Sequence, residues 1–200
     1  MVPDIIKRSC SDADISGIRV LCLMRRKVLI MWYAIWTATG SERKLCSWIK
    51  EFVPESFYED CFVPLVEQSR KIKGDWKTSK KPLFPGYLFI RTDERNIRKI
   101  AQKLKKLDFF AMILSTDGEF TPVNKEETYL IENAYSNEGI LGLSIGMIEG
   151  DKIKILSGPL IGLEGAIRHI NRHKRTATIE LNMFGRTSRI NIGLEIISKT

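Results

Sequence analysis

Apolar and polar residues alternate in short runs through the last fifty residues of the chain. The runs fall over 152–155, 176–181 and 189–192, and Gly158-Pro159 and Gly185 interrupt them. Such alternation gives each strand one face for a core and one for water or a ligand. The pattern predicts about five short antiparallel strands closed into a small barrel over 150–200.

Residues 31–135 combine strand and helix patterns. The aromatic and β-branched run 32–39 predicts a strand, and apolar residues at helical spacing predict a helix over 42–52. The remaining elements are strands over 61–72, 83–91 and 109–114 and helices that begin after Asp93 and Asn124. The order β-α-β-β-α-β is the split βαβ arrangement of ferredoxin-like folds. The sequence therefore predicts an α+β protein of two domains.

Two further segments have neither pattern. Residues 136–149 contain three glycines, with a fourth at Gly150, and show no amphipathic period, so they predict a flexible linker. Met31 stands directly before the first predicted strand. We therefore expect residues 1–30 to be either a flexible extension or a spurious one upstream of a start at Met31.

The composition points to an acidic partner. The net charge is +8, and 151–200 holds nine Lys and Arg against four acids. Four scattered cysteines without a CxxC pair argue against zinc or disulfides and fit a reducing cytoplasm. No apolar run approaches the roughly 20 residues that span a bilayer. No paired-carboxylate motif, nucleophile elbow or phosphate loop is found, so we expect neither an enzyme nor a cofactor or metal.

Three motifs in order resemble the NusG family of transcription elongation factors. They are Trp32-Tyr33, PLFPGYLFI over 82–90, and GDKIKILSGPLIGLEGAI over 150–167. The resemblance implies an N-terminal NGN domain over 31–135 and an SH3-like KOW barrel over 150–200, with turn glycines at Gly158, Gly162 and Gly165. The basic barrel is similar to the LoaP branch of antiterminators, and the central strand is similar to RfaH.

The resemblance implies that the NGN domain binds the clamp helices of the largest RNA polymerase subunit. The matching apolar positions are Trp36, Phe84, Tyr87 and Phe89, and Phe110 borders them. Exposed aromatic rings suit docking because each buries a large area at a small entropic cost. The alternative is that these rings form the core of the sheet. Alternation predicts that Tyr87 and Phe89 face away from the main core.

Two candidate cations lie near the start of the second predicted helix. Arg98 and Lys99 match the region that the family places near the polymerase gate loop or the non-template DNA. The chain has long cations there where RfaH has short hydroxyl residues. A solvated basic helix face is the alternative.

The barrel carries a cluster of cations that can pair with phosphates or stack on looped-out bases of nascent RNA. The candidate residues are Lys152, Lys154, Arg168, His169, Arg172, His173, Lys174, Arg175, Arg186 and Arg189. The alternative is a solvated turn.

Together these features predict a monomeric bacterial transcription elongation and antitermination factor. It would bind RNA polymerase through the NGN domain and a hairpin-like element of nascent RNA through the barrel, and so suppress pausing and termination. One alternative is a coupling factor whose barrel binds a ribosomal or termination-factor protein through Leu160, Ile161 and Phe184. The other is a ribosome-associated RNA-binding protein that shares only the KOW barrel.

Overall fold

A computed structural model describes residues 29–72, 75–150 and 152–199 of the chain. The side chains of 70, 72, 125, 126 and 199 are outside this description. So are residues 1–28, which hold nearly all of the expected N-terminal extension, and residues 73–74. Within the described ranges, no helix has the length and apolar content that crossing a membrane requires.

The first domain is built on a four-stranded antiparallel sheet. Its strands are β1 (Met31–Thr37), β2 (Asp60–Phe62), β5 (Tyr87–Thr92) and β6 (Ala111–Ile113), in the order β2-β5-β1-β6. Helices α1 (Glu42–Phe52) and α2 (Glu94–Leu104) pack on one face around Tyr33, Leu88 and Ile97. The predicted split βαβ domain is confirmed.

A long hairpin is inserted before the central strand. It consists of β3 (Leu65–Ile72) and β4 (Asp75–Pro82). The strand predicted over 61–72 is divided at Val63-Pro64 into β2 and β3, because proline cannot donate to a strand ladder. Residues 83–86 turn before β5 instead of extending it, with Gly86 at φ +84°.

The remaining elements of the first domain follow β6. They are the small hairpin β7 (Ser115–Thr116) and β8 (Glu119–Phe120), helix α3 (Lys125–Ser136) and strand β9 (Ile140–Leu141). Asn124 and Glu127 form a capping box that begins α3, as the sequence predicts from Asn124. This helix covers the sheet face opposite α1 and α2 through Leu130, Ile131 and Ala134.

Five strands form the predicted second domain, the barrel. They are β10 (Ser144–Glu149), β11 (Lys152–Ser157), β12 (Ile167–Asn171), β13 (Thr176–Met183) and β14 (Arg186–Lys199), in the order β11-β10-β14-β13-β12. The alternating residues Ala177, Ile179, Ile190 and Ile192 are buried in its core, as expected.

The prediction of a flexible linker over 136–149 is wrong, because this range contains strands β9 and β10. Strand β9 pairs with β3, and β10 is the first strand of the barrel, which therefore begins before residue 150. The glycines that suggested a linker have local reasons. A Cβ at Gly146 would lie 3.0 Å from the carbonyl oxygen of Lys154 on the paired strand, so the close approach of β10 and β11 favours glycine.

The two domains share one apolar core. The cluster that holds Phe84, Phe89 and Leu130 of the first domain continues into Leu160 and Met183 of the barrel. The barrel is therefore packed directly against the sheet face opposite α1 and α2.

Candidate functional site

The rings of the central motif lie on the face that alternation predicts. Leu88 and Ile90 of β5 point to the helix side, whereas Tyr87 and Phe89 point to the other face together with Phe84 from the preceding turn. We call Phe84, Tyr87 and Phe89 the aromatic face. All three rings are buried, with Tyr87 only 8% exposed, so the expectation of an uncovered surface here is wrong.

The barrel covers the aromatic face with a single ring. Phe184, at the tip of the β13–β14 hairpin, stacks on Tyr87 with ring centroids 4.9 Å apart and planes at 25°. It also approaches Phe84 and Phe89 at 6.3 and 6.2 Å. The aromatic face is thus packed on one side by α3 of its own domain and closed over Tyr87 by Phe184 of the barrel.

The conformation of the Phe184 turn is unusual for a large side chain. Phe184 and Gly185 both have positive φ, at 54° and 72°, as in the tight turns that normally favour Asn-Gly. A bulky residue in this region is uncommon and carries strain of about 1–3 kcal/mol. The turn therefore presents an aromatic ring at a position where the backbone alone would favour a small polar residue.

Hydrogen bonds also join the barrel to the first domain. The Phe184 backbone N–H donates to Glu127 Oε1 at 2.7 Å, and Arg186 Nη2 donates to the Tyr87 hydroxyl at 2.7 Å. The Tyr129 hydroxyl donates to the Ile161 carbonyl at 2.9 Å. Arg186, a candidate for RNA binding, is thus placed in the interface between the domains.

Beside the aromatic face lies an apolar area that the barrel leaves uncovered. Trp36, Phe110 and Met112 are 42%, 48% and 44% exposed, and we call them the open edge. Trp36 and Phe110 meet edge to face at 4.9 Å, and Trp36 lies opposite both Tyr87 and Met112 in the sheet register. The open edge therefore continues the aromatic face across the sheet. Met112 was missed, although its alternation with Ile113 could have placed it there.

The two candidate cations of α2, Arg98 and Lys99, contact neighbouring side chains. Arg98 forms ion pairs with Glu94 at 3.4 Å and with Glu119, and the hydrogen bond that Arg98 donates to Glu119 raises the pKa of Arg98 above its ordinary value. Lys99 Nζ lies 3.1 Å from Asn96 Oδ1. These contacts fit the solvated helix face better than a free site for DNA.

The barrel cations divide into engaged and uncovered groups. Arg168 and Arg189 both contact Glu180, at 3.3 and 3.1 Å, and these hydrogen bonds, Arg189 first, lower the pKa of the Glu180 carboxyl. Arg175 contacts Glu195 at 3.1 Å and lies over the ring of Trp76 at 4.0 Å. These three arginines, all candidates for RNA binding, therefore have protein partners.

The uncovered cations form two sets. Arg172, His173 and Lys174 are exposed in the β12–β13 turn. Lys152 and Lys154 are exposed on β11, and a cleft of about 290 Å³ brings Lys152 beside Arg168 and His169 of β12. The turn is the denser of the two sets.

The KOW glycines differ in what the structure requires of them. A Cβ at Gly158 would lie 2.6 Å from the Cα of Ser144, and its φ is +97°, so only glycine fits. Gly162 also has a positive φ, whereas Gly165 faces open space. Across the described part of the chain, no three His, Cys, Asp or Glu residues lie close enough to hold a metal ion.

A ferredoxin-like α+β domain with an apolar strip, packed against a small basic barrel, defines a two-domain binding protein. The family model described as transcription termination factor nusG matches residues 31–132. The chain therefore belongs to the NusG family. It is a NusG-like transcription termination/antitermination factor, and proteins of this family are transcription factors and not enzymes.

Individual relatives match most of the chain. The transcription termination/antitermination protein NusG of Helicobacter pylori is 24% identical over 168 residues, covering 80% of this chain and 93% of the relative. The Thermus thermophilus protein of the same name is 24% identical over 184 residues, covering 85% and 98%. A solved structure on domain interaction in Thermotoga maritima NusG aligns with a TM-score of 0.49 at 22% identity, covering 82% of this chain and 94% of that one.

Proposed function

We propose that this chain is an antitermination factor of the LoaP-like type that binds RNA polymerase and nascent RNA. RNA polymerase is the partner that the NusG family implies. The observation that carries the proposal is the apolar strip formed by the aromatic face and the open edge on one side of the sheet. A strip of Trp, Phe, Tyr and Met is the composition of a protein-binding hot spot.

The strip suits the clamp helices of the largest polymerase subunit. A helical hairpin laid across the sheet would bury Trp36, Phe110 and Met112 first, because these side chains are already exposed. Full contact with Tyr87 requires that Phe184 leave its place, since it stacks on the same ring. The clamp and the barrel tip therefore compete for the aromatic face.

The barrel supplies the proposed RNA contact. Arg172, His173 and Lys174 project from one turn and are exposed to solvent. Cations of this kind bind phosphates by releasing counterions, and Arg also stacks on unpaired bases. Lys152 and Lys154 extend the basic surface along β11. RNA held there while the first domain holds polymerase would keep the factor on the elongating enzyme, because tethering raises the local concentration of each module.

A second function is favoured by one observation. Ile161 is 48% exposed on the barrel, and Phe184 would join it on the surface once the barrel moved away. These side chains suit a ribosomal or termination-factor protein as the barrel partner. Leu160, the third residue expected on such a surface, is fully buried, which weakens this alternative.

Capture of core RNA polymerase by the full-length chain tests the polymerase contact. The double variant Trp36→Ala/Phe110→Ala should lower capture at least about 10-fold, as truncation of two hot-spot rings does. The matched control is Phe52→Ala, which removes a ring that is 52% exposed on α1, on the other side of the sheet. Equal capture by the control, the double variant and the parent chain would rule out the strip as the polymerase site.

A further inference from the structure

We infer that a single-stranded nucleic acid binds in a groove formed jointly by the β3–β4 hairpin and the barrel, an inference that rests on the proposed nucleic-acid function of the barrel. The groove has a volume of about 270 Å³. One wall is the edge of β3, and the other comes from β12, β13, β14 and the turn between β12 and β13. Its lining includes Gln68, Ser69, His169, Asn171, Lys174 and Asn191.

The groove is chemically suited to bases and phosphates. Amide and hydroxyl groups lie on both walls, from Gln68 and Ser69 on one side and Asn171 and Asn191 on the other, and Lys174 brings positive charge. None of the described residues that line the groove carries a carboxylate or a large apolar side chain. A protein partner would call for an apolar centre, whereas base edges and phosphates call for this polar and basic lining.

An aromatic platform stands next to the groove. Trp76 of β4 is 40% exposed, and the guanidinium of Arg175 lies 4.0 Å from its ring centroid. Arg175 is itself held by Glu195 at 3.1 Å and by a turn conformation with φ +49°. Arg175 lies in the chain between Lys174 and strand β13, which both line the groove. Its contact with Trp76 therefore places the ring beside the groove. Exposed rings of this kind stack on successive bases of single strands.

The hairpin adds cations on the same side as the ring. Lys71 lies opposite Trp76 in the β3–β4 register, so the two side chains share a face, and Lys80 shares it because strand side chains alternate. Lys77 and Lys81 lie on the other face of β4 and are also exposed. A strand stacked on Trp76 would therefore pass between Lys71 or Lys80 and the barrel cations.

Because its walls come from both domains, the groove exists only while the barrel is docked. A strand bound there favours the closed arrangement, and polymerase on the aromatic face opposes it, so each ligand weakens the other by the same factor. The cations at Arg172 and Lys174 stay on the barrel in both arrangements. They would keep the strand attached after the contact with the hairpin is lost.

Fluorescence anisotropy with the full-length chain tests the composite groove. The probes are an oligouridylate of about 12 nucleotides and the matching oligothymidylate, a length within the usual site sizes of single-strand binders. Trp76→Ala should weaken binding about 10-fold or more, the loss expected for one stacked base, whereas Trp76→Phe should restore most of it. Lys71→Gln/Lys80→Gln should weaken binding several-fold more than Lys77→Gln/Lys81→Gln, which removes equal charge from the opposite face.

The outcomes separate this inference from the proposed function. Tighter binding of the oligouridylate identifies nascent RNA as the natural strand, and tighter binding of the oligothymidylate identifies displaced DNA. Either result supports the groove. If Arg172→Gln/Lys174→Gln abolishes binding while Trp76→Ala and both lysine pairs leave it unchanged, the barrel binds nucleic acid alone and the composite groove is wrong. If the parent chain binds neither probe, both the groove and the proposed contact of the barrel with single strands are rejected. The proposed polymerase contact would still stand, because the capture experiment tests it separately.

Discussion

Phe184 of the barrel stacks on Tyr87 of the NGN domain at 4.9 Å, and the neighbouring Arg186 donates a hydrogen bond to the hydroxyl of the same tyrosine. Tyr87 therefore has both its ring and its hydroxyl occupied by the other domain. Since Tyr87 also lies opposite Trp36 of the open edge, the contact ends where the uncovered apolar area begins.

Replacing Phe184 should release the barrel without unfolding it. Asn is favoured at this turn position, so Phe184→Asn removes the ring while it relieves backbone strain. The lost stacking and burial amount to roughly 2 kcal/mol, which would shift the ratio of open to closed molecules roughly 30-fold. Polymerase capture by the full-length chain should rise, and backbone hydrogen exchange over 84–89 should accelerate.

The control for this variant is Asp117→Asn. Asp117 and Gly118 form a turn of the β7–β8 hairpin in which both residues likewise have positive φ, at 51° and 83°. This change should affect neither capture nor exchange over 84–89. Faster exchange in Phe184→Asn without a gain in capture would mean that the aromatic face is not a polymerase site.

A buried carboxylate positions the turn that carries the aromatic face. Glu42 is 2% exposed, and its Oε1 accepts the N–H of Gly86 at 2.7 Å while Oε2 accepts the N–H of Gly40 at 2.8 Å. Glu42→Gln replaces one acceptor by a donor and leaves a backbone N–H without a partner. The free energy of unfolding should fall by about 1–3 kcal/mol.

Urea denaturation of the full-length chain measures this loss. Glu51→Gln is the matched control, since Glu51 is exposed on the same helix, and it should change stability by no more than about 0.5 kcal/mol. Equal stability of the two variants would show that the carboxylate does not hold the Gly86 turn.

Much of the fold could be predicted because its signals are local. The period of Leu45 and Ile49 gave helix α1 within the bounds that the structure has, and alternation through Tyr87 and Ile90 gave the two faces of β5. Strand β10 was not predicted, because Gly146 was interpreted as part of a flexible linker. Gly146 instead allows β10 to pack closely against Lys154 of the paired strand β11, a contact between strands that the local sequence does not indicate.

The candidate site was harder to predict because its contacts are distant in the chain. The sequence around Phe184 does not indicate that its ring stacks on Tyr87, which lies ninety-seven residues earlier in the chain. Likewise, the contact between Arg175 and Trp76 joins residues of two different domains. The sequence gathers all barrel cations into one basic cluster. Only the folded barrel shows that Glu180 engages Arg168 and Arg189.

This division of the barrel cations predicts different effects on the salt dependence of RNA binding. Each phosphate contact to a single strand contributes about 0.7 to the slope of log affinity against log salt concentration. Arg172 and Lys174 are exposed in the turn, so Arg172→Gln/Lys174→Gln should lower the slope by about 1.4. Arg168→Gln/Arg189→Gln removes the same charge from a pair that already contacts Glu180, so its slope should change less. Titrations of oligouridylate against the full-length variants at several salt concentrations measure both slopes. Equal changes would show that the Glu180 contacts open in the complex and that RNA meets the barrel as one undivided basic surface.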